Sequence, residues 1–219
     1  MKKDINLNRE IKRQAIREII RHKLSKDPKL FEKEVKKINK LDLSLFHLES
    51  VEGIWIFENL KYLDLSCNSI QDVSELNNLT KLKVINLEQT KVDEISKLNQ
   101  LTNLEILALN HCDVSNISVV ENLQQLQELY LSYNEIRELE QLEVLLELPN
   151  LKAVKLTGNP CFMKLPGSLS VDKLKNIPII SKLEDKGVQV LFHPDERYED
   201  SNMPYFETIP GVIEESDNY

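Results

Sequence analysis

The side chains able to act as nucleophiles, bases or metal ligands are few and lie far apart along the chain. Its 219 residues include three cysteines, Cys67, Cys112 and Cys161, and four histidines, His22, His47, His111 and His193. None forms the CxxC or HExxH spacing that brings two ligands to one ion. No GxxxxGK[ST] or GxGxxG phosphate loop and no GxSxG nucleophile elbow occurs. No pair of groups suggests general acid and base work. The expectation is therefore no catalytic residue, no metal site, no cofactor and no enzyme activity. Three scattered cysteines do not make a disulfide framework and point to a reducing, cytoplasmic setting.

Charge is divided between two parts of the chain. Residues 1–40 hold 14 Lys and Arg against 6 Asp and Glu, whereas residues 41–219 hold 14 against 30. The first part could serve as a basic arm, and Lys12, Arg13, Arg17, Arg21, Lys23, Lys36 and Lys37 are its candidate phosphate contacts. Few aromatics lie among them, so a nucleic-acid-associated protein is the alternative to a protein binder. A solvated helix and a solubilising acidic tail are the plainer explanation of the same asymmetry. No apolar run approaches the length of a membrane span, and the N-terminus carries no apolar signal segment.

The elements that would position any site follow from a repeat. Aliphatic residues recur every 22 positions at Ile38, Leu60, Leu82, Leu104 and Leu126, then at Leu151 after a three-residue lengthening. Within each unit the apolar offsets are 1, 4, 6, 11, 14, 17 and 20. The unit from Leu60 reads Leu60, Leu63, Leu65, Ile70, Val73, Leu76, Leu79. Across the five units from Ile38 to Leu145, every such position is Leu, Ile or Val except Phe57. Offsets 4 and 6 put two side chains on one face of a short strand, and steps of three predict a tight 3₁₀ return. Offset 9 is a column of its own: Phe46, Asn68, Thr90, Cys112, Asn134 and Asn159. An inward amide there can bond main-chain groups that lack ladder partners in two neighbouring coils. Thr90 and Cys112 can do part of that work, Cys112 as a buried structural thiol, and Phe46 none of it.

LKYLDLSCN and LQELYLSYN carry the pattern LxxLxLxxN, which closely resembles the leucine-rich repeat. The 22-residue period with its compact return is similar to the short class found in a protein phosphatase one regulatory subunit and in cytosolic or internalin-type bacterial repeats. The resemblance covers residues 38–160. It implies an α/β fold: a right-handed solenoid with a parallel concave sheet, 3₁₀ or short-helix returns on the convex side, and a cap at each end. The expected layout is an N-terminal helical cap over 1–37, six repeats over 38–160 with the first degenerate, a C-terminal cap over 161–192, and an acidic flexible tail over 193–219. In the C-terminal cap, Gly187 should stop a helix ahead of a closing strand, Val188 to Phe192. This cap departs from that of the eukaryotic members and leans toward the bacterial ones.

Residues at offsets 3, 5, 7 and 8 should point away from the core. Tyr62, Val84, Ile106, Ala108, His111, Tyr130 and Tyr133 then fall together as an exposed aliphatic and tyrosine patch rimmed by Asp64, Glu88 and Glu128. Such a patch suits a protein or peptide partner on the concave face of a monomeric scaffold; short side chains filling a curved face are the alternative. Trp55 is expected to pack near the cap rather than make contacts of its own. Cys67 and His111 share a column but sit two strands apart, about 10 Å, too far for one to activate the other.

Overall fold

The computed structural model describes Lys33, residues 35–163 and residues 174–192. Each repeat contributes one three-residue strand: β1 Lys40–Asp42, β2 Tyr62–Asp64, β3 Val84–Asn86, β4 Ile106–Ala108, β5 Glu128–Tyr130 and β6 Ala153–Lys155. The C-terminal segment adds a seventh, β7 Gln189–Leu191, and all seven form one sheet in chain order. Every neighbouring pair is parallel, and the register places Leu41, Leu63, Ile85, Leu107, Leu129, Val154 and Val190 in one row. Parallel neighbours require a crossover. Here each crossover is the other half of the same coil.

The returns are 3₁₀ turns at Ile54–Ile56, Ser74–Asn78, Ser96–Leu98, Ser118–Asn122 and Leu139–Glu147. The longest is in the lengthened unit, where the extra three residues are taken up as another turn. The 3₁₀ geometry follows from the step-by-three apolar pattern, since residues i and i+3 eclipse and face one side. The apolar rib positions are buried throughout the five units, apart from Ile38 and Leu139, which are half-buried. Each buried aliphatic contributes roughly 1.5–3 kcal/mol, nearly all of it dependent on the adjacent coil.

The asparagine column does the work its chemistry implies. Asn68 accepts from the Leu48 N–H at 2.8 Å and donates to the carbonyls of Leu43 and Leu65, both at 2.8 Å, so one amide ties two coils. Asn134 accepts from the Val114 N–H and donates to the Leu109 carbonyl. Asn159 accepts from the Ile136 N–H and donates to the carbonyls of Leu131 and Leu156. Thr90 Oγ1 reaches only the Leu87 carbonyl and the Cys112 sulfur, and Cys112 donates to the same Leu87 carbonyl at 3.1 Å. Burial pushes the Cys112 thiol above its usual range, in keeping with an inert structural role. Trp55 and Phe46 pack half-buried against the core.

Of the N-terminal cap expected over residues 1–37, only Lys33 and residues 35–37 are described, and Val35 is buried in the core cluster. Lys12, Arg13, Arg17, Arg21 and Lys23 lie outside the described residues, as do the 193–219 tail and residues 164–173 of the C-terminal cap. At that end a short helix, α1 (Pro160–Met163), precedes a second, α2 (Pro178–Asp185), whose proline occupies the first turn. Gly187 stops α2 with φ of 87°. The Lys186 ammonium donates to the carbonyls of Leu146 and Leu148, fastening the cap to the last return. The closing strand is three residues, shorter than the five expected, and it extends the sheet. Phe192 just beyond it meets Phe162 edge-on, with centroids 5.4 Å apart.

Candidate protein-binding face

In-register stacking sets the outward residues of neighbouring strands side by side, about 4.8 Å apart. One row reads Lys40, Tyr62, Val84, Ile106, Glu128, Ala153 and the next reads Asp42, Asp64, Asn86, Ala108, Tyr130, Lys155. The structure therefore brings Tyr62, Val84, Ile106, Ala108 and Tyr130 onto one sheet face, with His111 and Tyr133 where β4 and β5 exit. Their exposure is not uniform. Tyr62, Ile106 and Tyr133 are half-buried and His111 is exposed. Val84, Ala108 and Tyr130 are only 2%, 0% and 4% exposed, although they are not part of the main core cluster.

This corrects the expectation of a uniformly exposed patch. Val84 stands in register between the larger Tyr62 and Ile106, and Ala108 between Asn86 and Tyr130, so short side chains are walled in by their neighbours. Tyr130 donates its hydroxyl to Glu128 at 2.7 Å, a bond that holds the ring against the face. Offset 7 supplies a second departure, because Glu88, Asn110 and Ser132 are buried rather than rim-like.

Two features escaped the sequence reading. The first is a polar ladder that crosses the strands. Ser66 donates its N–H and hydroxyl to Asp64 at 2.8 and 2.7 Å, and Asn86 donates to the other Asp64 oxygen at 3.2 Å. Asn86 in turn accepts from the Glu88 N–H, Asn110 donates to the Glu88 carboxylate, and Asn110 accepts from the Ser132 N–H. Asn86 beside Asp64 and Asn110 beside Glu88 were visible as adjacent members of their columns, a signal that could have found it. The second is a ridge of left-handed residues at offset 8: Leu45, Cys67, Gln89, His111 and Tyr133 have φ of 54–60° and Gly158 has 76°. The N–H groups of the five non-glycine residues still donate to the next coil, as Cys67 does to the Glu88 carbonyl at 2.9 Å. On this ridge His111 stacks on Tyr133 with centroids 4.4 Å apart and planes 13° from parallel.

Two titratable groups on this face are shifted by their surroundings. Asp64 is held above the usual carboxylate range, first by burial and then against Ser66 hydrogen bonds that pull the other way, with Asp42 adding repulsion. The Cys67 thiol is pushed up by burial and by the charges of Asp64 and Glu88, the opposite of an activated nucleophile. Among the described residues no group of His, Cys, Asp and Glu is placed to hold a metal ion. No described helix is long and apolar enough to cross a membrane.

Residues 58–100 match the family model described as leucine-rich repeats in two copies. No curated protein sequence matches the chain. Among solved structures it is similar to an internalin from Listeria monocytogenes, with a TM-score of 0.60 and 24% identity, covering 84% of this chain and 55% of that one. It is also similar to a leucine-rich-repeat protein of Leptospira interrogans, with a TM-score of 0.57 and 25% identity, covering 73% of this chain and 38% of that one. The chain thus spans about half the length of the first relative and less of the second. The repeat and the parallel sheet agree with these likenesses: residues 58–100 carry leucine-rich repeats, and the chain folds as a solenoid similar to those of the internalin and the Leptospira protein.

Proposed function

We propose that the protein is a non-enzymatic binding module that holds a protein or peptide on the concave face of its solenoid. The observation that carries this is the placement of half-buried Tyr62 and Ile106 in one row on either side of Val84, with the stacked His111 and Tyr133 where β4 and β5 exit, on strands whose other face already fills the core. Tyrosine offers a large, stiff contact area with a polar tip, the profile of a hot-spot residue. Buried Val84, Ala108 and Tyr130 act beneath them as the floor. Cys67, Cys112 and Cys161 form no disulfide, which supports a reducing, cytoplasmic setting.

The test is affinity capture with the full chain beside the variant Tyr62→Ala/Ile106→Asp. Those two are chosen because each is partly accessible, whereas Tyr130 is a packed, hydrogen-bonded residue whose loss would disturb the sheet. The variant should fold with an unchanged circular dichroism spectrum and lose the partners that the wild type retains. Equal recovery by both would end the proposal.

A further inference from the structure

We infer that the concave face receives an extended polypeptide segment bearing lysine or arginine, its basic side chains over β1–β3 and its main chain over β5 and β6. This rests on the protein-binding reading above and names the chemistry of the partner. At the β1–β3 end, Asp42 and Asp64 are register partners, so two carboxylates stand side by side on neighbouring strands. Ser44 and Ser66 each donate an N–H and a hydroxyl to one oxygen of their aspartate, which fixes both carboxylates in the same orientation. Glu88 leaves β3 on the same face. Lys40 is the single base at the outward strand positions of β1–β3. A cation set between Asp42 and Asp64 would relieve like-charge repulsion, with half-buried Tyr62 two residues before Asp64 on the same strand face.

A second, independent observation comes from the opposite end. Ser132 is fully buried on β5's exit, and its hydroxyl finds no hydrogen-bond partner; the Thr157 hydroxyl at the equivalent position after β6 is in the same state. A buried hydroxyl left unpaired is costly, and a main-chain N–H or C=O of a docked segment would satisfy it. The dimensions agree. From β1 to β6 is five strand spacings, about 24 Å, which about seven extended residues span at about 3.3 Å each. A segment of that length places basic side chains at one end and bare main chain at the other.

The test uses the full chain and two fluorescein-labelled heptapeptides, KTVKTVK and ETVETVE, with binding read by fluorescence anisotropy at low and physiological ionic strength. The basic peptide should bind about tenfold more tightly than the acidic one, with the gap narrowing as salt rises. Asp42→Asn/Asp64→Asn should weaken the basic peptide about fivefold while leaving the fold intact. Ser132→Ala should weaken binding without altering the preference for lysine. Equal binding of the two peptides, tighter binding of the acidic one, binding of neither, or an unaffected double variant would each overturn the inference. A rise in mass with concentration that the double variant abolishes would assign the face to the basic residues 1–40 of a second copy and also overturn it. If the peptides fail while partner capture still depends on Tyr62 and Ile106, the charge chemistry falls and the binding function stands.

Discussion

Asn134 shows how one side chain holds a coil to its neighbour. Its oxygen takes the Val114 N–H and its amide nitrogen serves the Leu109 carbonyl, both in the preceding coil and both out of water's reach. Asn134→Ala leaves these groups buried and unpaired, and should cost about 2–4 kcal/mol in urea unfolding. An exposed asparagine such as Asn99 would cost a few tenths by comparison. Asp64 gives the pH-dependent counterpart. Its folded pKa lies above its unfolded value, so its contribution to stability is fully present below the unfolded pKa and is lost as pH rises through the folded one. Asp64→Asn should therefore raise the urea midpoint at pH 7 and leave it nearly unchanged at pH 3, where the carboxyl is protonated in both states. The asparagine column was legible in the sequence because its chemistry demands an amide facing inward at fixed spacing. Burial of Tyr130 was not, since it depends on what flanks the ring across the strands and on its bond to Glu128.

At the scale of the element, three-residue strands and 3₁₀ returns persist only because every coil repeats them in register. The strand positions and the returns could be read from offsets 4, 6 and 11 to 20. The left-handed corner could not. Five of its six residues are not glycine, and nothing in Leu45, Cys67, Gln89, His111 or Tyr133 announces a positive φ. The turn is imposed by closure of the coil and sustained by main-chain bonds such as His111 N–H to the Ser132 carbonyl at 2.8 Å. Gly158 is the exception that packing requires, because a Cβ there would overlap the Tyr133 ring. Gly158→Ala adds that overlap to a φ of 76° and should cost about 2–4 kcal/mol, measured as a fall in the urea midpoint. Gln89→Gly, at an open corner of the same ridge, should stay within about 1 kcal/mol of wild type.

At the scale of the molecule, the solenoid buries one face of its sheet by construction and turns the other outward across seven strands. The helix-then-strand order at the C-terminal end was visible in Gly187. That β7 would join the sheet was not, because a strand three residues long declares no partner until the preceding edge, β6, is in place. The polar ladder from Asp64 to Ser132 forms only when coils are stacked, because its cross-strand bonds join residues of neighbouring repeats. Hydroxyl-radical footprinting of the full chain, free and with its captured partner, bears most directly on the central claim. Oxidation of Tyr62, Ile106, His111 and Tyr133 should fall on binding while Leu139, Val144 and Leu146 in the last return keep their free-state rates. Protection of that return with Tyr62 and His111 unchanged would contradict the account.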